Sequence, residues 1–377
     1  MKELLLRTRG EEPALAITKD RRLTDYYLLN EDGLAYEAGA IHLGRVRRVM
    51  KSLKAVFVVL DGGVEGFLPF DEMPGGQPAQ PGDSLLVQIK KPAQGGKAAF
   101  LTCDLALPGR TAMLLPLGQY AHASKRVKDK KAMSLLSRRL CPDNMGLVLR
   151  AKAQDAKEGD IQTEIDRLVS DWDEIAQQAK QTTAPALIRE APGILERLMR
   201  DEQEAFDRVL YDDEKAAKGL PIPGTYHDKP FSLYGIEQQL FEALKRRVYL
   251  PSGGLLVLDP CEAMLVIDVN SAKDGKKAGN LSLRTNVEAA KEIARLLRLR
   301  RVSGIILIDF IDMDTDAQRQ TVVDALEEAL KDDRVTSEVL GFTRLGILEM
   351  TRKKAELMLK AQRLENNTNE EIEEPHA

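Results

Sequence analysis

Short apolar runs punctuated by turn residues occupy the opening part of the chain, and they predict strands. KELLLRTR and EPALAITKD flank Gly10-Glu11-Glu12, and RRLTDYYLLNEDG closes at a turn. From Ile41 to about Thr102 the runs IHLGRVRRVM, AVFVVLDGG, EGFLPF, DSLLVQIKK and AAFLTCDL follow closely, separated by Gly62-Gly63, Pro74-Gly75-Gly76 and Gly95-Gly96. That spacing is expected of a small all-β barrel. Between Arg110 and about Lys180 helical spacing takes over in AMSLLSRRL and IQTEIDRLVSDWDEIAQQAKQ, with MGLVLRAKA as a strand between them. PALIREAPGILERLMRD opens another unit, and a Pro/Gly-rich stretch leads to the helix IEQQLFEALKRRVYL. No period of about twenty to fifty residues repeats, so a solenoid is excluded.

The pattern is most informative after Pro251-Ser252-Gly253-Gly254. LLVLDPCEAMLVIDV predicts a strand pair, a Lys/Gly loop follows, and GIILIDF predicts another buried strand. Between them Thr285-Asn286-Val287-Glu288 has capping-box form, with Thr285 as N-cap of a helix running to about Arg300. Its Val287, Ala290, Ile293, Ala294 and Leu297 make one apolar stripe. Strand, helix and strand form a βαβ unit, which requires parallel strands and a right-handed crossover.

Both strands of that unit end in a carboxylate, Asp268 and Asp309. Parallel strands bring both to the C-terminal edge of the sheet, where open α/β sheets bind ligands. Neighbouring strands lie roughly 4.8 Å apart, so one octahedral Mg²⁺ with oxygens at about 2.1 Å can be shared. Asn270 falls on the same side of the chain as Asp268 and can hold a carboxylate or a bound water; Asp312 follows Asp309 in the next loop. A single strand-end aspartate more often caps the following loop through backbone amides. Other chemistries lack their motifs: there is no GxxxxGK[ST], no GxSxG, and no GxGxxG after a strand. Phosphodiester hydrolysis assisted by a divalent ion fits two carboxylates with cations nearby.

Composition adds bounds to this picture. At 377 residues the chain is long enough for two to four units. No apolar run approaches the roughly twenty residues of a membrane helix, and the charged N-terminus is no secretory signal, so a cytoplasmic protein without membrane partners is expected. Cys103, Cys141 and Cys261 lie far apart and read as small buried side chains, and the four histidines are scattered, which argues against a zinc enzyme. Net charge is −4, yet His42–Lys54 and Ser124–Arg139 are strongly basic and the C-terminal ENNTNEEIEEPHA is acidic. Phe57 and Phe67 lie on successive predicted barrel strands, preceded by Arg45, Arg47, Arg48, Lys51 and Lys54. Aromatics on a barrel face flanked by cations suit single-stranded nucleic acid, because bases stack while phosphates meet Lys and Arg. Core packing is the competing reading for each Phe.

The blocks LPSGGLLVLDPCEAMLVIDVNSAK, TNVEAAKEIARLLRLR, GIILIDFIDM and FTRLGILEMTRKK together resemble the catalytic region of the ribonuclease E/G family. HLGRVRRVMKSLKAVFVVLDGGVEGFLP resembles that family's OB-fold RNA-binding module, and GGKAAFLT its closing strand. The resemblance implies an α/β (α+β) protein of several subdomains. Residues 1–36 and 184–245 would form a ribonuclease-H-like subdomain, 37–103 the OB-fold, 104–183 a mixed α/β region like a 5′-end sensor, and 246–360 a DNase-I-like catalytic subdomain; 361–377 would be an acidic disordered tail. It implies a metal-dependent endoribonuclease that cuts single-stranded, often AU-rich RNA with Mg-activated water and leaves 5′-phosphate ends. Mn²⁺ is the alternative metal. By position Asp268 and Asp309 match the two magnesium-binding aspartates and Asn270 the asparagine beside the first. Arg344 matches an arginine of the catalytic subdomain, and Phe57, Phe67 and Lys97 match RNA-contacting positions, with Arg45 and Arg48 among the adjoining cations.

Two positions depart from the family pattern. An Arg-Thr pair that holds a 5′-monophosphate is here Arg150-Ala151, which leaves Arg150 and Lys131 to form any such pocket. The CPxCxGxG segment that shares zinc between subunits is missing, so no structural zinc is expected, and a homodimer would need another surface. The alternative function is an RNA-binding paralogue whose catalysis is weak or lost.

Overall fold

The computed structural model describes residues 1–353 apart from 11, 30–33, 74–78, 94–95, 203–205, 219, 221 and 272–280. The Lys/Gly loop and the acidic tail therefore lie outside the described residues. The chain divides into two compact units, one of residues 1–29 with 203 onward and one of residues 30–202.

In the first unit the opening strands Lys2–Arg7, Ala14–Lys19 and Arg22–Leu28 form an antiparallel meander. Lys2–Arg7 also pairs in parallel with Arg208–Tyr211, Leu4 opposite Val209, and Gly224–Tyr226 adds the edge strand, so segments some two hundred residues away extend the sheet. The LeuLeuLeu run at positions 4–6 is fully buried on both faces, which such a central strand requires. A second sheet runs in the order Arg247–Tyr249, Leu255–Pro260, Met264–Asn270, Gly304–Asp309, Ile347–Arg352, Ser337–Phe342. Met264–Asn270 and Gly304–Asp309 are the parallel pair; their neighbours are antiparallel. Helices Leu281–Leu299 and Asp316–Leu330 share one apolar core with Leu265, Ile267, Val269, Ile306 and Ile308.

The second unit holds a closed barrel. Ile41–Met50 pairs with Ala55–Val59, then Glu65–Pro69, Ala99–Thr102 and Ser84–Lys91 follow, and Ser84–Lys91 pairs back onto Ile41–Met50. Closure brings backbones together where a Cβ does not fit. At Gly44 it would meet Val58 Cγ1 at 2.3 Å, and at Gly66 Leu101 Cδ1 at 2.5 Å. A four-stranded sheet with helices Lys130–Leu140 and Glu158–Gln181 completes the unit. There Glu164 accepts the backbone amides of Arg110, Thr111 and Ala112 and the Thr111 hydroxyl.

Four expectations need correction. The helix does not begin at Thr285: Leu281–Leu299 is helical, and Thr285 and Asn286 are buried within it. The capping-box letters fall inside the helix, whose preceding turn already packs Leu283 against the core. Residues 184–202 belong with the barrel unit, not with the N-terminal sheet, since Ala186–Arg189 pairs with Ile41–Leu43 of the barrel. The carboxylate strands are buried on one face only; Ile305 on the other is 46% exposed. Finally, Cys103 is buried, with its thiol pushed up to about 12 by burial, but Cys141 is half-buried and Cys261 exposed.

Candidate active site and nucleic-acid interface

Alternation along the parallel strands decides where the carboxylates point. Leu265, Ile267 and Val269 face the helices, which sends Asp268 and Asn270 to the open face. On the partner strand Ile306 and Ile308 face inward and Asp309 outward. Asp268 and Asp309 are direct register partners. The two acids thus sit side by side at the C-terminal ends of adjacent strands, exposed to solvent.

Electrostatics mark the same pair. The Asp309 carboxyl lies above its ordinary range, pushed there by partial burial and then by the charges of Asp268 and Asp312. Asn270 Nδ2 donates to Asp268 Oδ2 at 2.7 Å. That bond ties the Asn270 amide to one carboxylate oxygen of Asp268. Arg344 lies in the turn Thr343–Gly346, just before Ile347, which pairs with Asp309. The turn is closed by Thr343 accepting from Gly346 and Ile347, with Gly346 at φ 85°. Arg344 is therefore at the same edge as the carboxylates.

Among the described residues no three His, Cys, Asp or Glu side chains converge as a metal cage. Two carboxylates at one edge suit Mg²⁺, which retains several waters and binds through one or two carboxylates plus substrate phosphate. The all-oxygen donor set and the mutual repulsion of Asp309 with Asp268 and Asp312 fit a divalent cation.

A residue that sequence reading passed over holds this edge in place. Asn286, fully buried, donates through Nδ2 to the Ile311 carbonyl at 2.8 Å and accepts the Ile311 amide at Oδ1 at 3.1 Å. It clamps the backbone two residues after Asp309. The available signal was a polar residue four before Ala290 and seven before Ile293, inside the buried stripe. Asn286→Ala is expected to cost about 1–3 kcal/mol of stability, read by urea unfolding, because it leaves the Ile311 amide and carbonyl without their side-chain partner.

On the barrel, Phe57 and Phe67 are register partners with ring centroids 5.7 Å apart, and the Arg48 guanidinium lies 4.2 Å from the Phe57 centroid. Arg48 also donates to Glu65 at 3.0 Å. Lys97 is exposed at the entry to the Ala99–Thr102 strand. Arg45 donates to the Ala184 carbonyl at 2.7 Å, so its guanidinium tethers the added strand. Arg150 donates to Asp201 at 2.8 Å and to the Gly109 carbonyl at 2.6 Å, whereas Lys131 stands exposed in the first turn of Lys130–Leu140. Beside Arg150, Lys152 is pushed down to about 8 by burial and by Arg110 and Arg150, and it donates to the Arg200 and Glu202 carbonyls.

The fold and site define a mixed α/β protein with an OB-like barrel and a two-carboxylate centre at a sheet edge. Comparison with known proteins gives the family. The model of the ribonuclease E/G family matches residues 106–355, which include Asp268, Asn270, Asp309 and Arg344. Ribonuclease E of Nostoc sp. is 33% identical over 356 residues, covering 85% of this chain and 51% of the relative. Ribonuclease G of Salmonella typhimurium is 32% identical over 357 residues, 84% of this chain and 72% of its own length. Ribonuclease E of Escherichia coli is 32% identical over 396 residues, 94% of this chain and 37% of its length. The chain belongs to the ribonuclease E/G family. It spans about half the length of the Nostoc and Synechocystis relatives it matches.

Proposed function

We propose that this chain is an endoribonuclease of RNA processing or decay that cuts single-stranded RNA with a divalent metal ion and leaves 5′-phosphate ends. The observation that carries the reading is the direct register pairing of Asp268 with Asp309 on an open sheet face. Asp268 and Asp309 would hold Mg²⁺, or Mn²⁺, which when bound polarises the scissile phosphate and lowers the pKa of water. Asn270 keeps Asp268 oriented toward its neighbour, and Arg344 at the same edge supplies positive charge for a phosphate. The barrel supplies RNA binding through Phe57, Phe67, Lys97 and Arg48. Among the described residues no helix is long and apolar enough to cross a membrane. Action in the cytoplasm is part of the same proposal.

The alternative, an RNA-binding paralogue without catalysis, is favoured by no feature of the carboxylate edge. Purified protein incubated with matched 5′-hydroxyl and 5′-monophosphate RNAs, with Mg²⁺ or with EDTA, tests the proposal. Cleavage is expected with Mg²⁺ and not with EDTA. Both RNAs should be cut at similar rates, because a 5′ phosphate would have to displace Asp201 from Arg150 and finds no hydroxyl at Ala151. Binding without cleavage in any metal would select the paralogue reading.

A further inference from the structure

Five outward-facing side chains lie along one line across the barrel. Arg48 is paired with Phe57, Phe57 with Phe67, Phe67 with Phe100, and Phe100 with Lys91. The strand neighbours of the rings point inward: Val56 and Val58 about Phe57, Leu68 after Phe67, and Ala99 and Leu101 about Phe100 are all at most 2% exposed. The three rings are therefore spare to the barrel core, and each is only half-buried. Their centroids step by 5.7 Å and 6.0 Å, with interplanar angles of 69° and 52°, so neither pair stacks face to face. A cation stands at each end, Arg48 at 4.2 Å from Phe57 and Lys91 at 5.8 Å from Phe100.

Three adjacent half-exposed rings ending in cations match the chemistry of a single strand, with successive bases stacking and phosphates meeting Lys or Arg. We propose that Phe100 is a third base-stacking position beside Phe57 and Phe67, and that Lys91 holds the phosphate next to it. The barrel then seats three consecutive nucleotides. This rests on the reading that the barrel binds single-stranded RNA.

The test uses the full chain carrying Asp309→Asn, to prevent cutting, and fluorescence anisotropy with a labelled unstructured oligoribonucleotide. Phe100→Leu keeps an apolar side chain but removes the ring. It is expected to weaken binding by roughly 5- to 100-fold, the range for loss of one stacked base, while Phe100→Tyr stays near the parent. Lys91→Gln should reduce the slope of log affinity against log salt by about 0.7, the value for one phosphate contact on a single strand. Circular dichroism melts exclude unfolded variants from the comparison. If Phe57→Leu and Phe67→Leu weaken binding and folded Phe100→Leu does not, the third position is wrong and barrel binding stands. If none of the three weakens binding, the barrel reading falls and this inference with it.

Discussion

Asp309→Asn is expected to reduce RNA cleavage by roughly 10²–10³-fold or more, the scale of removing one electrostatic stabiliser from a transition state. Asp268→Asn should do the same. RNA affinity should stay near that of the unaltered chain, since the rings and cations of the barrel belong to the other unit. Near wild-type cutting of an AU-rich single strand by either variant, with Mg²⁺ present, would remove the carboxylate pair from the reaction.

The same substitution has a thermodynamic signature opposite to that of an ordinary damaging change. Asp309 is raised above its unfolded value by partial burial and then by Asp268 and Asp312. The folded chain therefore holds that proton to higher pH than the unfolded chain does. Stability falls as pH rises through the window just above the ordinary carboxyl range, and the penalty persists at neutral pH. Asp309→Asn removes it, so the metal-free variant should melt slightly higher than the parent at neutral pH and equally at acid pH. Added Mg²⁺ should raise the melting temperature of the parent and not of the variant, because only a native-state ligand shifts the equilibrium.

The second large effect is on stability alone. Asp25, 2% exposed, accepts from Arg298 Nε and from Arg334 Nη2, each at 2.8 Å, and from the Thr24 hydroxyl. Burial pushes its carboxyl up, but the two guanidiniums and these hydrogen bonds outweigh burial and hold it below the usual range. Asp25→Ala is expected to cost about 3–5 kcal/mol, because it breaks a buried ion pair by removing the carboxylate that both guanidiniums bond. Urea unfolding monitored by circular dichroism measures it, and a loss below about 1 kcal/mol would place the pair among exposed bridges. The depressed carboxyl contributes stability above the unfolded pKa, and that contribution is lost as pH falls through the folded value. Asp25→Asn should therefore flatten the acid limb of the stability curve.

The carboxylate centre was legible because its determinants are local. Four apolar residues before an aspartate, twice, with a helical stripe between, fix two parallel strands and a common edge. Asn286 was not legible in the same way. Its letters fit a cap, and only the arrival of Ile311 against the helix turns that side chain into a clamp on the loop after Asp309. Arg150 was legible as a cation but not as one occupied by Asp201, a residue some fifty positions later.

The barrel divides along the same line. Phe57 and Phe67 stand on consecutive strands joined by a short turn, so their pairing follows from alternation and could be read directly. Phe100 and Lys91 belong to strands joined through a loop, and strand order here departs from chain order, with Ala99–Thr102 lying between Glu65–Pro69 and Ser84–Lys91. By itself the sequence determined which residues face out of each strand and which strands end in carboxylates, because side-chain period and local apolar runs are properties of neighbouring residues. Only the tertiary structure decided which outward residues share a line and which polar groups are already bonded. Register between distant strands and burial of one side chain against another depend on closure of the whole sheet.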